Sequence, residues 1–327
     1  MVGIRDHGVA VVAPDSESES GSVAVPESLA GMRLDQALAK MFAGHSRSRL
    51  SAWIRDGRVT VDGATVDAKR KVWGGERVAL TPGPLTSPST HRAEAIPLSV
   101  VHEDEAILVL DKPAGLVVHP GSGNWQGTML NALLAHTPSL DALPRAGIVH
   151  RLDKDTSGLL VVAKSEQVQL NLVRQLQART VKRDYIAVVH GRVAVDGSVE
   201  APIGRDSRVR TRMAVVAGGR PARTHYRVMA RFSDASLLEC SLDTGRTHQI
   251  RVHMRSIGHP IMGDATYGPR ATGSTRPIAR QALHAARLGL IHPVHGCPVS
   301  WQSDLPADID ALIRALRAGI TSRSEKR

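Results

Sequence analysis

"GIVHRLDKDTSGLLVVAKS", residues 147–165, is apolar at both ends and crowded with ionisable side chains in its middle. Gly147, Ile148 and Val149 read as the end of one strand, and Leu159 to Ala163 as the start of another. Between them stand His150, Arg151, Asp153, Lys154 and Asp155, followed by Thr156, Ser157 and Gly158. A turn needs only the Asp-Thr-Ser-Gly end of that run, because short polar side chains bond their own backbone and glycine takes left-handed angles. The other charges need a second reason. They either face water, or they set one carboxylate among cations in a cleft. Arg151 and Lys154 stand close to Asp153, and a neighbouring cation favours an ionised carboxylate. Such a group can act as nucleophile or base without a cofactor. The loop by itself leaves both readings open.

Working outward, 327 residues is enough for about two domains of roughly 100–200 residues each. The formal net charge of +11 is unevenly spread: residues 1–27 carry −4 and the rest +15. A basic body of that size favours a polyanionic partner, nucleic acid before an anionic membrane, although solubility alone also accounts for charge. The two cysteines, Cys240 and Cys297, form no C-x-x-C pair, which argues against a disulfide framework or a cysteine-built zinc site and suits a reducing compartment. No apolar run approaches the roughly 18 residues of a membrane span. "GVAVVAP" near the start is too short for a signal-peptide core and lacks a basic leader. A soluble, cytoplasmic protein and a monomer are expected.

Residues 1–27, with "DSESESGS", are acidic and low in complexity and read as a disordered tail. Residues 28–80 read as a compact small domain. Leu34, Leu38, Met41 and Phe42 have helical spacing, and a second helix from Ser46 would bury Leu50, Trp53 and Ile54 and stop at Gly57. "RVTVDG" then alternates into an Asp62-Gly63 turn, a hairpin signature. Residues 31–80 hold ten Lys/Arg against five Asp/Glu, and Arg47, Arg49, Arg55 and Arg58 gather at the second helix and its exit. That gathering favours phosphate contact over an ordinary solvated face. "TPGPLTSPST" suggests a linker over 81–97. A larger body follows over 98–319, then a basic tail at 320–327. In the body, "AILVLDKPAGLVVHPG" gives two short strands broken by Lys112-Pro113, "TMLNALLAH" a helix, and Ser165 an N-cap for a helix carrying Val168, Leu172 and Leu176. "RDYIAVVHG", "ARTHYRVMARF" and "SLLECSL" are strand-like, "THQIRVHMRSIG" fits a helix closed by Gly258, and the last helix spans about 307–318. Without a regular βαβ rhythm, the fold class is α+β, with mixed strands and helices, rather than a doubly wound sheet.

Several chemistries lack their signatures. No Lys follows a Gly, so there is no phosphate loop of the G-K-[ST] type, and "GSGNWQG" misspells the dinucleotide fingerprint. ATP and NAD are unsupported. Fifteen histidines include no H-E-x-x-H, and His248 and His253, five apart, point to different helix faces. No metal is expected. A G-x-S-x-G elbow is also absent, which leaves a Ser-His-Asp hydrolase without its nucleophile.

The 147–165 segment closely resembles the H-R-L-D-x-x-T-S-G motif of the RluA/RluD-type RNA pseudouridine synthases. "LDKPAGLVVHPGSG" (110–123), "RDYIAVVHG" (183–191), "DTGRTHQIRVHM" (243–254), "HPIMGDATYG" (259–268) and "RQALHAARLGLIHP" (280–293) resemble further blocks of that family, in family order. Residues 31–80, with "RLDQAL" and "SRSRLSAWIRDGRVTVDG", resemble the S4-type RNA-binding domain that precedes many of these enzymes. The resemblance implies isomerisation of uridine to pseudouridine in structured RNA, most closely in the RluD-type subgroup acting on large-subunit ribosomal RNA, with no cofactor or metal. It implies a bent, largely antiparallel mixed sheet around an RNA-binding cleft. By motif position Asp153 is the catalytic aspartate, Tyr185 the aromatic residue against the uracil ring, and Arg251 the arginine paired with the aspartate. Arg246 is the second choice for that pairing and otherwise a phosphate ligand. Arg151 and His150 are expected to face RNA, whose target base must be flipped out of its stack. Two other readings stand beside this one: a non-catalytic RNA-binding or ribosome-assembly factor that keeps the fold, and a basic hydrolase using Asp153.

Overall fold

The computed structural model describes residues 22–83, 91–121, 123–209, 211–269 and 278–324, in two compact units divided between residues 87 and 88.

In the first unit, β1 (Ser22–Ala24), β2 (Val59–Val61), β3 (Ala64–Thr65) and β4 (Arg77–Leu80) form an antiparallel sheet in the order β1-β4-β2-β3. Two helices cover it. α1 (Leu34–Met41) buries Leu34, Ala37 and Leu38, one helical face. α2 (Arg47–Arg55) starts where Ser46 Oγ accepts the Arg49 N–H at 3.2 Å, and it buries Leu50, Trp53 and Ile54. The β2–β3 turn places Asp62 at φ 51° and Gly63 at φ 80°, the left-handed pair that matches strand twist in a tight hairpin.

Both expected boundaries of this unit shift. Ser22–Ala24 pairs with β4 and Val25 is buried, so the tail expected over 1–27 ends before Ser22; its first 21 residues lie outside the described residues. A three-residue edge strand held by backbone bonds leaves little trace in composition. The linker expected over 81–97 also shrinks from both ends. The Thr81 N–H bonds Arg58 O, and the Trp53 indole N–H donates to Gly83 O at 2.8 Å. At the far end, buried Asn131 donates to Arg92 O and accepts the Glu94 N–H on its own carbonyl. Residues 84–90 lie outside the described residues.

The second unit is built on a nine-stranded sheet. Its order is β5 (Val100–Glu103), β6 (Ile107–Lys112), β7 (Ser157–Ala163), β14 (Leu283–Ile291), β8 (Lys182–His190), β13 (Ala235–Leu242), β12 (Arg223–Arg231) and β9 (Gly197–Glu200), with β15 (Pro298–Gln302) also on β14. Only the β7–β14 contact is parallel. β10 (Ile203–Arg205) and β11 (Met213–Val215) make a separate ribbon.

The sheet has a core on each face, as its strands require. β6 and β7 are buried nearly throughout, and alternate residues face opposite sides. Leu108, Leu110, Leu160 and Val162 pack with α3 (Met129–His136), α5 (Gln249–Ser256) and α6 (Ala307–Ser324). Ile107, Val109, Leu159 and Val161 pack with Val168 and Leu172 of α4 (Glu166–Gln177). Thr128 and Asn131 form a capping box at α3, and Ser165 caps α4. α6 runs beyond the expected 307–318 and takes in part of the expected tail.

β14 changes partner along one edge, from β7 at residues 284–285 to β15 at 287–291. At that fork Gly158 sits at φ +111°, and a Cβ there would lie 2.3 Å from Ala285 O. Only glycine fits. Two expected strands reduce to single bridges: Ile148 touches Val162, and Val117 touches Thr128. Gly147 explains the first, since at φ +76° it packs where a Cβ would stand 1.9 Å from Ala163 O. The apolar triplet at 147–149 anchors the loop to the core without continuing as a strand.

Candidate active site

The loop before β7 is fastened from beneath. Lys112, almost wholly buried, points its ammonium at three carbonyls: Pro113 at 2.7 Å, Leu116 at 3.0 Å and Lys154 at 2.8 Å. Burial pulls its pKa down to about 8, and the carbonyls supply all three donors with acceptors. The Gly115 N–H reaches the same Lys154 carbonyl. From the other side, Arg280 donates to Asp155 O at 3.0 Å while its guanidinium grips Asp308, near the start of α6, at 2.7 and 2.8 Å. Gln281 donates to Thr156 Oγ1, and the Thr156 N–H closes the turn on Asp153 O. The backbone on both sides of Asp153 is therefore fixed, while its carboxylate stays 16% exposed.

That carboxylate meets Arg251. Arg251 Nη1 donates to Asp153 Oδ2 at 2.9 Å, and its Nε and Nη2 fork onto Asp264 at 2.6 and 2.9 Å. The guanidinium also lies over the Tyr267 ring, 5.0 Å from its centre. Burial opposes a charge on Arg251, but the Asp264 bonds and the Asp153 charge outweigh it and hold the group above the usual guanidinium range. Burial likewise opposes ionisation of Asp264, whose side chain is fully inaccessible, yet Arg251 keeps its pKa below the ordinary value. Asp264 also accepts the Thr266 and Tyr267 N–H groups. His248, at φ 57° just before α5, bonds the Tyr267 hydroxyl at 2.8 Å and stands 3.8 Å from Asp153 Oδ1. Burial lowers its pKa against the pull of Asp153, which favours the neutral ring.

Asp153 and Arg251 line a cleft of about 940 Å³, whose walls also carry Arg151, Arg183, Tyr185 and Arg246. Tyr185 projects from β8, paired across the sheet with Cys240 and Ala285. It belongs both to the core and to the cleft wall. Burial pushes its phenol up to about 12, so near neutral pH it is an uncharged ring and a hydrogen-bond donor.

The other expected residues sort differently. Arg151 is exposed on the cleft wall. Arg246 does not take the aspartate; its Nε donates to Pro221 O, and it stays at the cleft. His150, expected to face RNA, is half-buried in the cleft wall; its Nε2 accepts the Val161 N–H at 3.1 Å, and burial drops the ring to about 3. It is a neutral acceptor that completes the β7 backbone. Arg47, Arg49, Arg55 and Arg58 lie on α2 and its exit, in the first unit. Arg47 is tied to buried Asp35 at 2.7 Å, Arg49 lies over Trp53 at 5.7 Å, and Arg55 is exposed. The sequence reading gave no role in the site to Asp264, Tyr267, His248, Lys112 or Arg280. "GDATYG" does show a turn signature, an Asp followed by backbone donors, but nothing in it names Arg251 as the partner thirteen residues back.

Among the described residues no three His, Cys, Asp or Glu side chains group as metal ligands, and no helix is long and apolar enough to cross a membrane.

A family model described as RNA pseudouridylate synthase matches residues 106–256, and one described as S4 domain matches residues 32–78. The chain is 57% identical over 298 residues to "Ribosomal large subunit pseudouridine synthase D" of Nitrosomonas europaea, covering 90% of this chain and 87% of that protein. It is 47% identical over 313 residues to the protein of the same name from Escherichia coli, covering 92% and 96%. Among solved structures, "Human RNA Pseudouridylate Synthase Domain Containing 1" superposes with a TM-score of 0.53 at 26% identity, over 70% of this chain and 98% of that one. With relatives this similar over nearly their whole length, and an aspartate–arginine pair at the floor of the cleft, the chain belongs to the RluD-type branch of the RNA pseudouridine synthases, isomerases that here carry an S4 domain.

Proposed function

We propose that this chain isomerises uridine to pseudouridine in large-subunit ribosomal RNA, in the cytoplasm and as a monomer, with Asp153 as the reacting carboxylate. The observation that carries the reading is the Asp153–Arg251 bond, because the second carboxylate on Arg251 belongs to a fully buried residue. Arg251 is thereby fixed before it meets Asp153. Asp153 is left paired with a cation, oriented and partly open to the cleft, as a reacting group must be. In the reaction the C1′–N1 bond of uridine breaks and C1′–C5 forms; the proton lost from C5 is balanced by one gained at N1. The site offers Asp153 to begin the cleavage, whether by attack at carbon or by taking a ribose proton. Protonated Tyr185 offers a flat face for the freed uracil and a donor to its carbonyls. Arg151 and Arg246 stand where a flipped nucleotide's neighbours would lie, and the arginines of α2 offer sites to RNA phosphates elsewhere on the chain.

The test is direct. Unmodified large-subunit RNA is incubated with the protein, and pseudouridine is mapped by carbodiimide adducts and primer extension. The wild type should convert discrete uridines, and Asp153→Asn should lower single-turnover product formation by about a thousandfold or more while RNA affinity stays within about threefold. RNA that binds with every uridine unchanged refutes the reading.

A further inference from the structure

Two arginines of the cleft wall are buried, Arg251 and Arg183, and among the described residues Arg183, 8% exposed, forms no ion pair. Its Nη2 makes one long bond to Leu242 O at 3.4 Å, and its buried Nε has no hydrogen-bond partner among the described residues. The two nearest acids in sequence and in strand register are engaged elsewhere. Asp184 accepts the Ser241 hydroxyl and faces Arg287 at 3.3 Å; Asp243 faces His225 at 3.1 Å and Arg223 at 3.9 Å, and it acts on Arg183 through space without bonding it, an attraction that burial outweighs. His150, close enough to feel the charge of Arg183, is neutral. The contrast is with Arg251, which two carboxylates bond in the same cleft.

A buried guanidinium without a bonded counter-ion is costly, and it keeps its proton because arginine does not give it up in proteins. Space has been kept for it. The Nη1 end lies 2.8 Å from where a Cβ on Gly245 would stand, so any side chain there would displace the fork. Arg183 and Tyr185 are two apart on β8 and line the same cleft as Asp153. A planar fork of donors on the wall of that cleft suits the paired oxygens of a phosphodiester.

We propose that Arg183 is a phosphate-binding residue that takes a backbone phosphodiester flanking the flipped uridine, so that the RNA itself supplies the bonded anion this buried arginine lacks. The inference rests on the reading that the cleft accepts RNA for isomerisation. Its ligand class is the phosphodiester, rather than the uracil ring, because a neutral carbonyl would leave the buried charge uncompensated. Bound there, the phosphate would brace the ribose against Asp153 while the base turns over Tyr185.

The experiment is a cycle between protein and RNA. Stem-loops around a uridine that the wild type converts are prepared with a single methylphosphonate at each position near it, which removes one negative charge at a time. Affinities are measured in the Asp153→Asn protein, so that no turnover intervenes, with and without Arg183→Met. Removing Arg183 should weaken binding of the all-phosphate RNA about tenfold and reduce its salt slope by about one. At one phosphate flanking the uridine the methylphosphonate should weaken the parent about tenfold and the Arg183→Met protein hardly at all. Penalties that multiply at every position, or an Arg183→Met protein that binds as tightly as its parent, overturn the inference. If Arg183→Met fails to fold, Arg183→Gln, which keeps a polar head and loses the charge, enters the same cycle with the same two outcomes. Failure of the underlying reading shows separately, as a wild type that converts no uridine at all.

Discussion

The two units handle a buried charge in mirror image. In the small unit one buried carboxylate, Asp35, gathers two surface guanidiniums, Arg33 at 3.0 Å and Arg47 at 2.7 Å, which are 39% and 46% exposed. In the cleft one buried guanidinium, Arg251, gathers two carboxylates, of which only Asp153 reaches solvent. In each trio the buried charge at the centre is satisfied by opposite charge, and what is exposed carries what is left: two arginines in one, Asp153 alone in the other. The small unit thus shows positive charge to its surroundings, as suits a phosphate backbone. The cleft shows a single oriented carboxylate, as suits chemistry. What separates a binding surface from a reacting one here is which sign is buried.

The strongest way to break this comparison is Asp264→Asn. It leaves every group that could touch RNA in place but takes away the fixed anchor of Arg251. Loss of one partner from a buried ion pair should cost about 3–5 kcal/mol of stability, read by urea unfolding. The loosened guanidinium should lower single-turnover pseudouridine formation about a hundredfold, with little change in RNA affinity. A variant that is destabilised yet fully active at saturating RNA would show that Asp264 only supports the fold. Arg251→Lys sharpens the same point. Its ammonium keeps the charge but lacks a fork that can span two carboxylates, so a loss of about tenfold in rate is expected.

Much of this geometry was legible beforehand, and the part that was not has a common cause. Asp153, Tyr185 and Arg251 were named from motif positions, and the structure brings all three to one cleft. Helix starts at Ser46 and Ser165 and the Asp62-Gly63 turn were also readable, since caps and turns are local chemistry. Asp264 and Arg280 were not singled out, because their roles depend on partners brought close by the fold: Arg251 for one, Asp308 and the Asp155 carbonyl for the other. Lys112 looked like a break between strands because its buried ammonium serves carbonyls, and carbonyls leave no mark in a sequence. The same blindness misplaced the ends of the tail and the linker, where backbone bonds decide.

A smaller effect is expected on the other side of the mirror. Asp35→Asn keeps a polar group beneath Arg33 and Arg47 but removes the charge that gathers them. Stability should fall by about 1–3 kcal/mol, while the single-turnover rate at saturating RNA stays unchanged. A rate that drops with Asp35→Asn would mean that the small unit acts in the chemical step, and the division between binding and reacting charge would fail.

The smallest effect at neutral pH, and the finest probe, is at His150. This residue meets burial in a third way, by carrying no charge at all. Burial lowers its pKa from an ordinary 6.5 to about 3, with the nearby Arg183 adding to the shift. In the unfolded chain the ring takes up a proton as pH falls below about 6.5, whereas in the folded protein it stays neutral down to about 3. The unfolded state therefore binds more protons across that window, and stability must fall as pH falls through it; above 6.5 the contribution is fully present. His150→Gln keeps a carbonyl able to accept the Val161 N–H and removes the titration. Urea unfolding at steps between pH 7 and 4 should show the variant losing stability less steeply, by up to about 1.4 kcal/mol per pH unit, with activity at neutral pH within about threefold of the wild type. Parallel slopes would mean that the ring takes a proton in the folded state as readily as in the unfolded one. His150 would then carry a charge at the cleft wall near Arg183 as the pH falls, and the neutral reading of the ring would fail.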